Sequence, residues 1–258
     1  MRHLTAPMLS VALLIGLGAT AAQAQRGPGD RERYQRCIAE TRSDATRAIE
    51  TANSWRAAGG GLPARHCLAM AYLAQERFAP AAVALEQAAR AAEADRDPAA
   101  ADLWGQAGNA ALLAGDTVKA HAYLSSALSG AGPDGQRRGQ LLIDRARASV
   151  ELGRPGDART DLDAATRLMP KEPAAWLLSA TLARRQGEYL RATTEIAEAA
   201  KLVPDDPDIM LEQGNIAGAQ GDPAAARRFW EAVVKAAPDT PAGQEAAKAL
   251  AANGTPAK

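Results

Sequence analysis

The sequence predicts an all-α chain folded as a solenoid of stacked helix-turn-helix units. Three observations carry that expectation. Gly153, Gly187 and Gly221 recur at a constant interval, since 187 − 153 and 221 − 187 both give 34. A fixed interval in that range marks a repeated supersecondary unit, which an irregular helical bundle does not need. Small residues stand at fixed offsets around these glycines, and they let paired helices approach to about 8–10 Å. Gly, Asp and Pro punctuate each unit where one helix must end and another begin.

With the first residue of a unit counted as position one, position fifteen is Gly115, Gly153, Gly187 and Gly221, with Glu76 in the corresponding place upstream. Glycine takes the left-handed cap conformation there without a Cβ clash. Position eight is Ala69, Gly108, Ala146, Ala180 and Gly214. Position twenty is Ala81, Ala120, Ala158, Ala192 and Ala226, and position twenty-seven is Ala88, Ala127, Ala165, Ala199 and Val233. Asp116 and Asp222 follow their glycines as N-caps of a second helix, with Pro223 suited to its first turn. Pro170, Pro204 and Pro238 close three units. Asp97-Pro98, Asp206-Pro207 and Thr240-Pro241 each read as an N-cap followed by Pro at the first helical position.

In chain order, residues 1–24 read as a secretory signal peptide. It has a basic start at Arg2 and His3, an apolar run from Met8 to Leu17 and a small-polar-small cleavage site at Ala22-Gln23-Ala24. The apolar run falls well short of the roughly 20 residues a spanning helix needs. Residues 25–30 read as a Gly/Pro linker. Residues 31–61 read as a degenerate helix pair, with an apolar stripe of Ile38, Ala45, Ala48, Ile49, Ala52 and Trp55 and a cap at Ser43-Asp44. Five full units occupy 62–240. Extra residues stand between the first two units and again after Leu128, where 153 − 115 gives 38. The second insertion, Ser129 to Arg138, is expected as an exposed loop. A helix over 241–252 closes the array, and 253–258 is expected to be a disordered tail.

The offsets of Trp104, Gly108, Gly115, Ala120 and Ala127, repeated downstream with Trp176 and the closing prolines, resemble the tetratricopeptide repeat family over about Leu62 to Pro238. The resemblance implies a right-handed α-solenoid with atypical end units. It also implies that first helices line a concave groove through positions two, five, nine, twelve and thirteen. On that placement Asn109, Arg147, Thr181, Arg184, Arg185 and Asn215 form a partner-binding groove, with Leu112, Ile143, Leu177 and Leu211 as shallow apolar neighbours. Guanidinium forks suit carboxylates, and Asn side chains can hold both groups of a peptide backbone. Some family members clamp a carboxylate with Lys and Asn at positions five and nine. Asn109 and Asn215 fill the Asn place, but no unit has Lys at position five. Neither Arg147 nor Arg184 stands at a helix-pairing position, so replacing both with Ala is expected to leave folding nearly unaffected.

Cys37 and Cys67 each fall in the first helix of a unit, and neighbouring first helices pack side by side in the resembled architecture. Both follow the export signal and would meet an oxidising compartment. A disulfide tying the degenerate pair to the first full unit is the preferred reading, with two buried free thiols as the alternative.

Composition narrows the function. Lys plus Arg and Asp plus Glu each number 30, so there is no basic field for nucleic acid or anionic lipid. Aromatics are 4% against 47% hydrophobic residues, so Ala carries most of the burial. The Ala, Arg, Gly and Pro bias suggests a high-GC bacterial genome. Together with the signal, it places the mature chain in a Gram-negative periplasm. His66 and His121 are isolated, and no nucleophile elbow, phosphate loop or zinc motif appears. Glu93, Asp95 and Asp97 read as a charged linker. No enzyme activity, cofactor or metal is expected. The expected function is a soluble periplasmic scaffold that binds a peptide or helix of a protein partner in its groove. The alternative is an accessory subunit of an envelope enzyme, assembly or secretion complex, acting through its convex face or loops. The sequence leaves the oligomeric state open.

Overall fold

The computed structural model describes residues 28–130 and 134–253, so the expected signal peptide and residues 254–258 of the tail lie outside it. Thirteen helices and no strand occur among the described residues. The first pair is α1 (Pro28–Ser43) and α2 (Ala45–Ala57). Five pairs follow: α3 (Gly61–Ala74) with α4 (Phe78–Ala94), α5 (Ala100–Leu113) with α6 (Thr117–Gly130), α7 (Gly135–Glu151) with α8 (Pro155–Leu168), α9 (Pro173–Arg185) with α10 (Tyr189–Leu202), and α11 (Pro207–Ala219) with α12 (Pro223–Ala236). Helix α13 (Pro241–Ala252) packs on α12 and closes the stack. Each helix lies mainly against its neighbours in sequence, as an α-solenoid requires.

The repeat positions do the work their residue types suggest. Ala69, Ala81, Ala88, Ala120, Ala127, Ala158, Ala165, Ala180, Ala192, Ala199, Ala226 and Val233 have no exposed surface, and Ala146 has almost none. Two units need Gly at position eight because a large side chain of the second helix lies over it. A Cβ on Gly108 would stand 2.5 Å from Leu124 Cγ, and one on Gly214 2.5 Å from Trp230 Nε1. Position fifteen is left-handed throughout, with φ of 74° at Gly115, 69° at Gly153, 78° at Gly187 and 83° at Gly221. Glu76 adopts the same conformation at φ 56° without glycine's freedom. The amide N–H after each of these residues reaches back to a carbonyl near the helix end, as in Asp116 N to Ala111 O at 2.9 Å, which satisfies groups the helix leaves open.

Caps set the other ends. Asp44, Asp134, Glu172, Asp206, Asp222 and Thr240 accept backbone N–H groups of the first turns of α2, α7, α9, α11, α12 and α13. Asp97 accepts the Ala99 N–H at 3.0 Å, but α5 starts only at Ala100. Asp97-Pro98 therefore forms a turn before the helix and does not cap it directly. The preceding Arg96 is left-handed at φ 53°.

Two expected loops are partly helical. Helix α1 begins at Pro28, inside the linker expected over 25–30. Within Ser129 to Arg138, α6 runs to Gly130 and α7 starts at Gly135 behind its Asp134 cap, with residues 131–133 outside the described set. The four extra residues therefore appear chiefly as one added turn at the start of α7. Their backbone groups are satisfied internally, which a loop would have to achieve with solvent.

One apolar cluster runs from Cys37 to Ala175. Beyond it the core divides into smaller groups around Ile196 and Ile209, around Trp230 and Val233, and around Ala158 and Leu162. Cys37 of α1 and Cys67 of α3 are joined, with Cα atoms 6.2 Å apart and both residues wholly buried. Cys37 and Thr41 are the only buried side chains among the described residues of α1. The disulfide tethers α1 together with Tyr34 and Ile38, which pack against the apolar cluster.

Candidate functional site

The side chains expected to bind a partner lie on α5, α7, α9 and α11, the first helices of four successive units. The structure brings three of them to one place. Arg147 of α7 and Thr181 and Arg185 of α9 line a hollow of about 190 Å³. Its walls also carry Val150 and Glu151 from α7, and Ala146, Leu162, Leu178 and Leu182 supply the apolar lining. Ala146, Leu162 and Leu182 are buried, which fixes that apolar floor. Thus α7 and α9 form the two walls, and Leu162 reaches up from α8 between them.

The remaining candidates are committed elsewhere. Arg184 donates from Nε at 2.6 Å and from Nη2 at 3.2 Å to the two oxygens of Glu212 on α11. Glu212 is only 5% exposed. Asn215 accepts the Trp230 indole N–H at 3.1 Å and donates to Glu212 at 3.4 Å. These two residues fasten α9, α11 and α12, so their polar groups already have partners within the chain. Ile143 is wholly buried, so it is core and not a shallow groove neighbour. Leu112, Leu177 and Leu211 are half-buried, and Asn109 is exposed, away from the hollow.

The charges at the hollow differ in availability. Arg147 donates to the buried carboxylate of Asp144 at 2.8 Å, and Gln140 donates to the same carboxylate. Glu151 accepts the Thr117 hydroxyl at 2.7 Å. Arg185 is exposed and forms no hydrogen bond or ion pair among the described residues, unlike Arg147 and Glu151 beside it.

A ladder of ion pairs continues from this point through the middle of the stack, and the sequence reading did not find it. Arg145 holds Asp161 with two bonds of 2.8 and 2.7 Å. Arg159 binds the Ser179 hydroxyl and carbonyl and the carboxylate of Glu195. Arg191 binds Glu195 and Asp163. Asp161 and Glu195 are buried. The pairs spaced by four residues, Arg159 with Asp163 and Arg191 with Glu195, were legible as helix-face partners. The links that cross between helices had no local signal.

His66 sits between two helices. Its Nδ1 is 2.7 Å from the Tyr34 hydroxyl on α1, and its Nε2 is 3.1 Å from Gln106 Oε1 on α5. Gln106 Oε1 can only accept, so Nε2 carries the proton and Nδ1 accepts from Tyr34. Burial pushes the His66 pKa down, partly opposed by the bond to Gln106. Glu93 accepts the Trp104 indole N–H at 2.7 Å, so it holds a core aromatic. No group of three or more His, Cys, Asp or Glu side chains able to hold a metal occurs among the described residues. No described helix is long and apolar enough to cross a membrane.

Comparison with known proteins agrees with this architecture. A tetratricopeptide repeat family model matches residues 143–207, which include the hollow. No curated protein matches the sequence. Among solved structures, PilW, a widely conserved type IV pilus biogenesis factor, superposes with a TM-score of 0.67 at 18% identity, over 85% of this chain and 98% of that one. PilF of Pseudomonas aeruginosa gives 0.63 at 16% identity, over 86% and 99%. YrrB, a protein of the same repeat type with an unusual peptide-binding site, gives 0.53 at 18% identity, over 83% and 97%. At these identities the likeness is one of fold.

Proposed function

We infer that this chain, which matches a tetratricopeptide repeat family model over residues 143–207 and shares the fold of such proteins, is a protein-interaction scaffold holding a peptide or helix of its partner on the face built by its first helices. The observation that carries the reading is the hollow between α7 and α9. There an apolar floor and a rim of Arg, Thr and Glu side chains stand together on a preformed surface. A site that is already shaped avoids part of the ordering cost of binding. Recognition on this reading needs no chemical step. It relies on burial of one apolar side chain and on hydrogen bonds from the rim.

The scaffold is proposed to work in the periplasm. The signal pattern of residues 1–24 supports export, and the buried Cys37–Cys67 bridge suits an oxidising compartment. Cell fractionation with N-terminal sequencing tests this. A mature chain that starts near Gln25 in the periplasmic fraction is expected, and an intact Met1 terminus in the cytoplasm would overturn it.

A second reading is favoured by the apolar residues on the first turns of the second helices. Val118 is 69% exposed and Leu190 is 86% exposed. In this reading the chain is an accessory subunit that touches an envelope enzyme or assembly system through its rim. Affinity capture from periplasmic extract, followed by competition among variants, separates the two. Loss of the captured partner with Thr181→Trp, but not with Val118→Asp and Leu190→Asp, supports the groove. The reverse pattern supports the rim.

A further inference from the structure

We propose that the hollow between α7 and α9 is an anchor site for one bulky aliphatic or aromatic side chain of a partner polypeptide, with an acidic residue next to that side chain held by Arg185. The proposal rests on the groove reading above and specifies what the groove selects.

Size sets the first requirement. An apolar cavity of roughly 150 Å³ accepts a benzene-sized group, and the hollow measures about 190 Å³. It therefore takes a side chain as large as Leu, Met or Phe. A partner Ala would leave most of that space to water. The floor offers no hydrogen-bonding side chain, since Ala146, Val150, Leu162, Leu178 and Leu182 are all aliphatic. A polar side chain entering there would be desolvated without compensation.

Charge sets the second requirement. Arg147 already serves the buried Asp144, and withdrawing it would leave that carboxylate only its longer bonds from Gln140. Glu151 is occupied by Thr117. Among the described residues nothing accepts from the five N–H donors of Arg185, which lines the same hollow. A guanidinium in that state is matched by a carboxylate, in a paired and bidentate geometry if the approach allows. A basic residue beside the anchor would face Arg185 with like charge and gain nothing from it. The acidic residue must lie close in sequence to the anchor, because Arg185 lies on the wall of the hollow itself.

The test uses the full purified chain and a random twelve-residue peptide library displayed on phage. Enriched peptides are then synthesised and their affinities measured against three proteins: the parent, Thr181→Trp, which plugs the mouth, and Arg185→Glu, which reverses the rim charge. Melting curves establish that both variants are folded. The expected consensus is Leu, Met or Phe within two residues of Asp or Glu. Thr181→Trp should weaken these peptides at least tenfold. Arg185→Glu should weaken them about tenfold, and affinity should return when the acidic residue of the peptide is changed to Lys. Enriched peptides that bind both variants as tightly as the parent would overturn the anchor site and leave groove binding intact. So would a consensus without an acidic residue. If no peptide is enriched over a bare support, the groove reading and the anchor site fail together.

Discussion

Arg184 on α9 grips Glu212 on α11 through two hydrogen bonds that span adjacent units. The carboxylate is buried and also receives a weak bond from Asn215. Removing the guanidinium leaves a charge without its partner in a site that water barely reaches. Breaking a buried pair in this way costs about 3–5 kcal/mol. Arg184 keeps some solvent contact, with 23% of its side chain exposed, so the lower end applies. Arg184→Ala is therefore expected to lower the melting temperature clearly, whereas Arg185→Ala one residue later leaves it unchanged. Thermal denaturation of the two variants side by side checks this. Equal melting temperatures would show that the Glu212 pair contributes nothing.

The tether of α1 is open to a direct measurement. The Cys37–Cys67 bridge closes a separation of 30 residues, which in the chain-entropy model is worth about 3–4 kcal/mol. Tyr34 and Ile38, packed on the core, also hold α1 to the stack. Cys37→Ser with Cys67→Ser is expected to lose roughly that amount in urea unfolding, together with protection of α1 against protease. The native protein should show no titratable thiol. Two reactive thiols in unreduced protein would contradict the bridge.

The repeat register makes a second kind of prediction. Ala158 and Ala192 are wholly buried where paired helices meet. Inserting a larger side chain there forces the helices apart and costs about 1–3 kcal/mol. Ala158→Leu and Ala192→Leu should each unfold at lower denaturant concentration than Arg154→Leu on the exposed surface. Unchanged midpoints for both would mean that the packing register is misplaced.

Acid should weaken the N-terminal half. The pKa of His66 is held below its ordinary value, so the folded state resists protonation more than the unfolded chain does. Above the ordinary His pKa of about 6.5 both states are neutral, and the contribution is fully present. As pH falls from there toward the depressed folded value, the unfolded chain binds the proton first and stability is lost. Protonation also turns Nδ1 into a donor, so the bond with Tyr34 must reverse, with the phenol oxygen accepting. The pKa of His121 is lowered too, chiefly by burial, so it adds to the same slope. Unfolding free energy measured from pH 8 to 5 should fall, and His66→Gln should flatten part of the decline. An identical slope in the variant would remove His66 from the account.

The repeat was legible because its requirements are local and recur. A left-handed residue between helices calls for Gly, and a close helix crossing calls for Ala or Gly, so both leave the same mark in every unit. Glu76 was placed correctly by its offset alone, although its side chain gives no sign of a φ of 56°. The groove was only partly legible. Positional analogy brought Arg147, Thr181 and Arg185 to one hollow. The same analogy gave no sign of the bonds that Arg184 and Asn215 make to Glu212 and Trp230, which depend on how neighbouring helices pack. Ile143 was misplaced for a related reason: the neighbouring helices cover it completely. The one-turn extension of α7 was visible as a count of four extra residues. Its helical form depended on Asp134 acting as a cap beside a glycine, a weak signal by itself.

The uneven division of the core gives the molecule two mechanical characters. From Cys37 to Ala175 the stack is bonded by a continuous apolar cluster and a covalent staple, neither of which rests on a charge attraction that ions could screen. From α8 to α11 the apolar groups are small, and ion pairs from Arg159 to Glu195, Arg191 to Asp163 and Arg184 to Glu212 join one unit to the next. Solvent reaches part of that ladder, so ionic strength screens it. Screening by salt would then soften one half of the spring more than the other. The pitch of the superhelix, and the width of any surface it offers a partner, would be adjustable chiefly from one end.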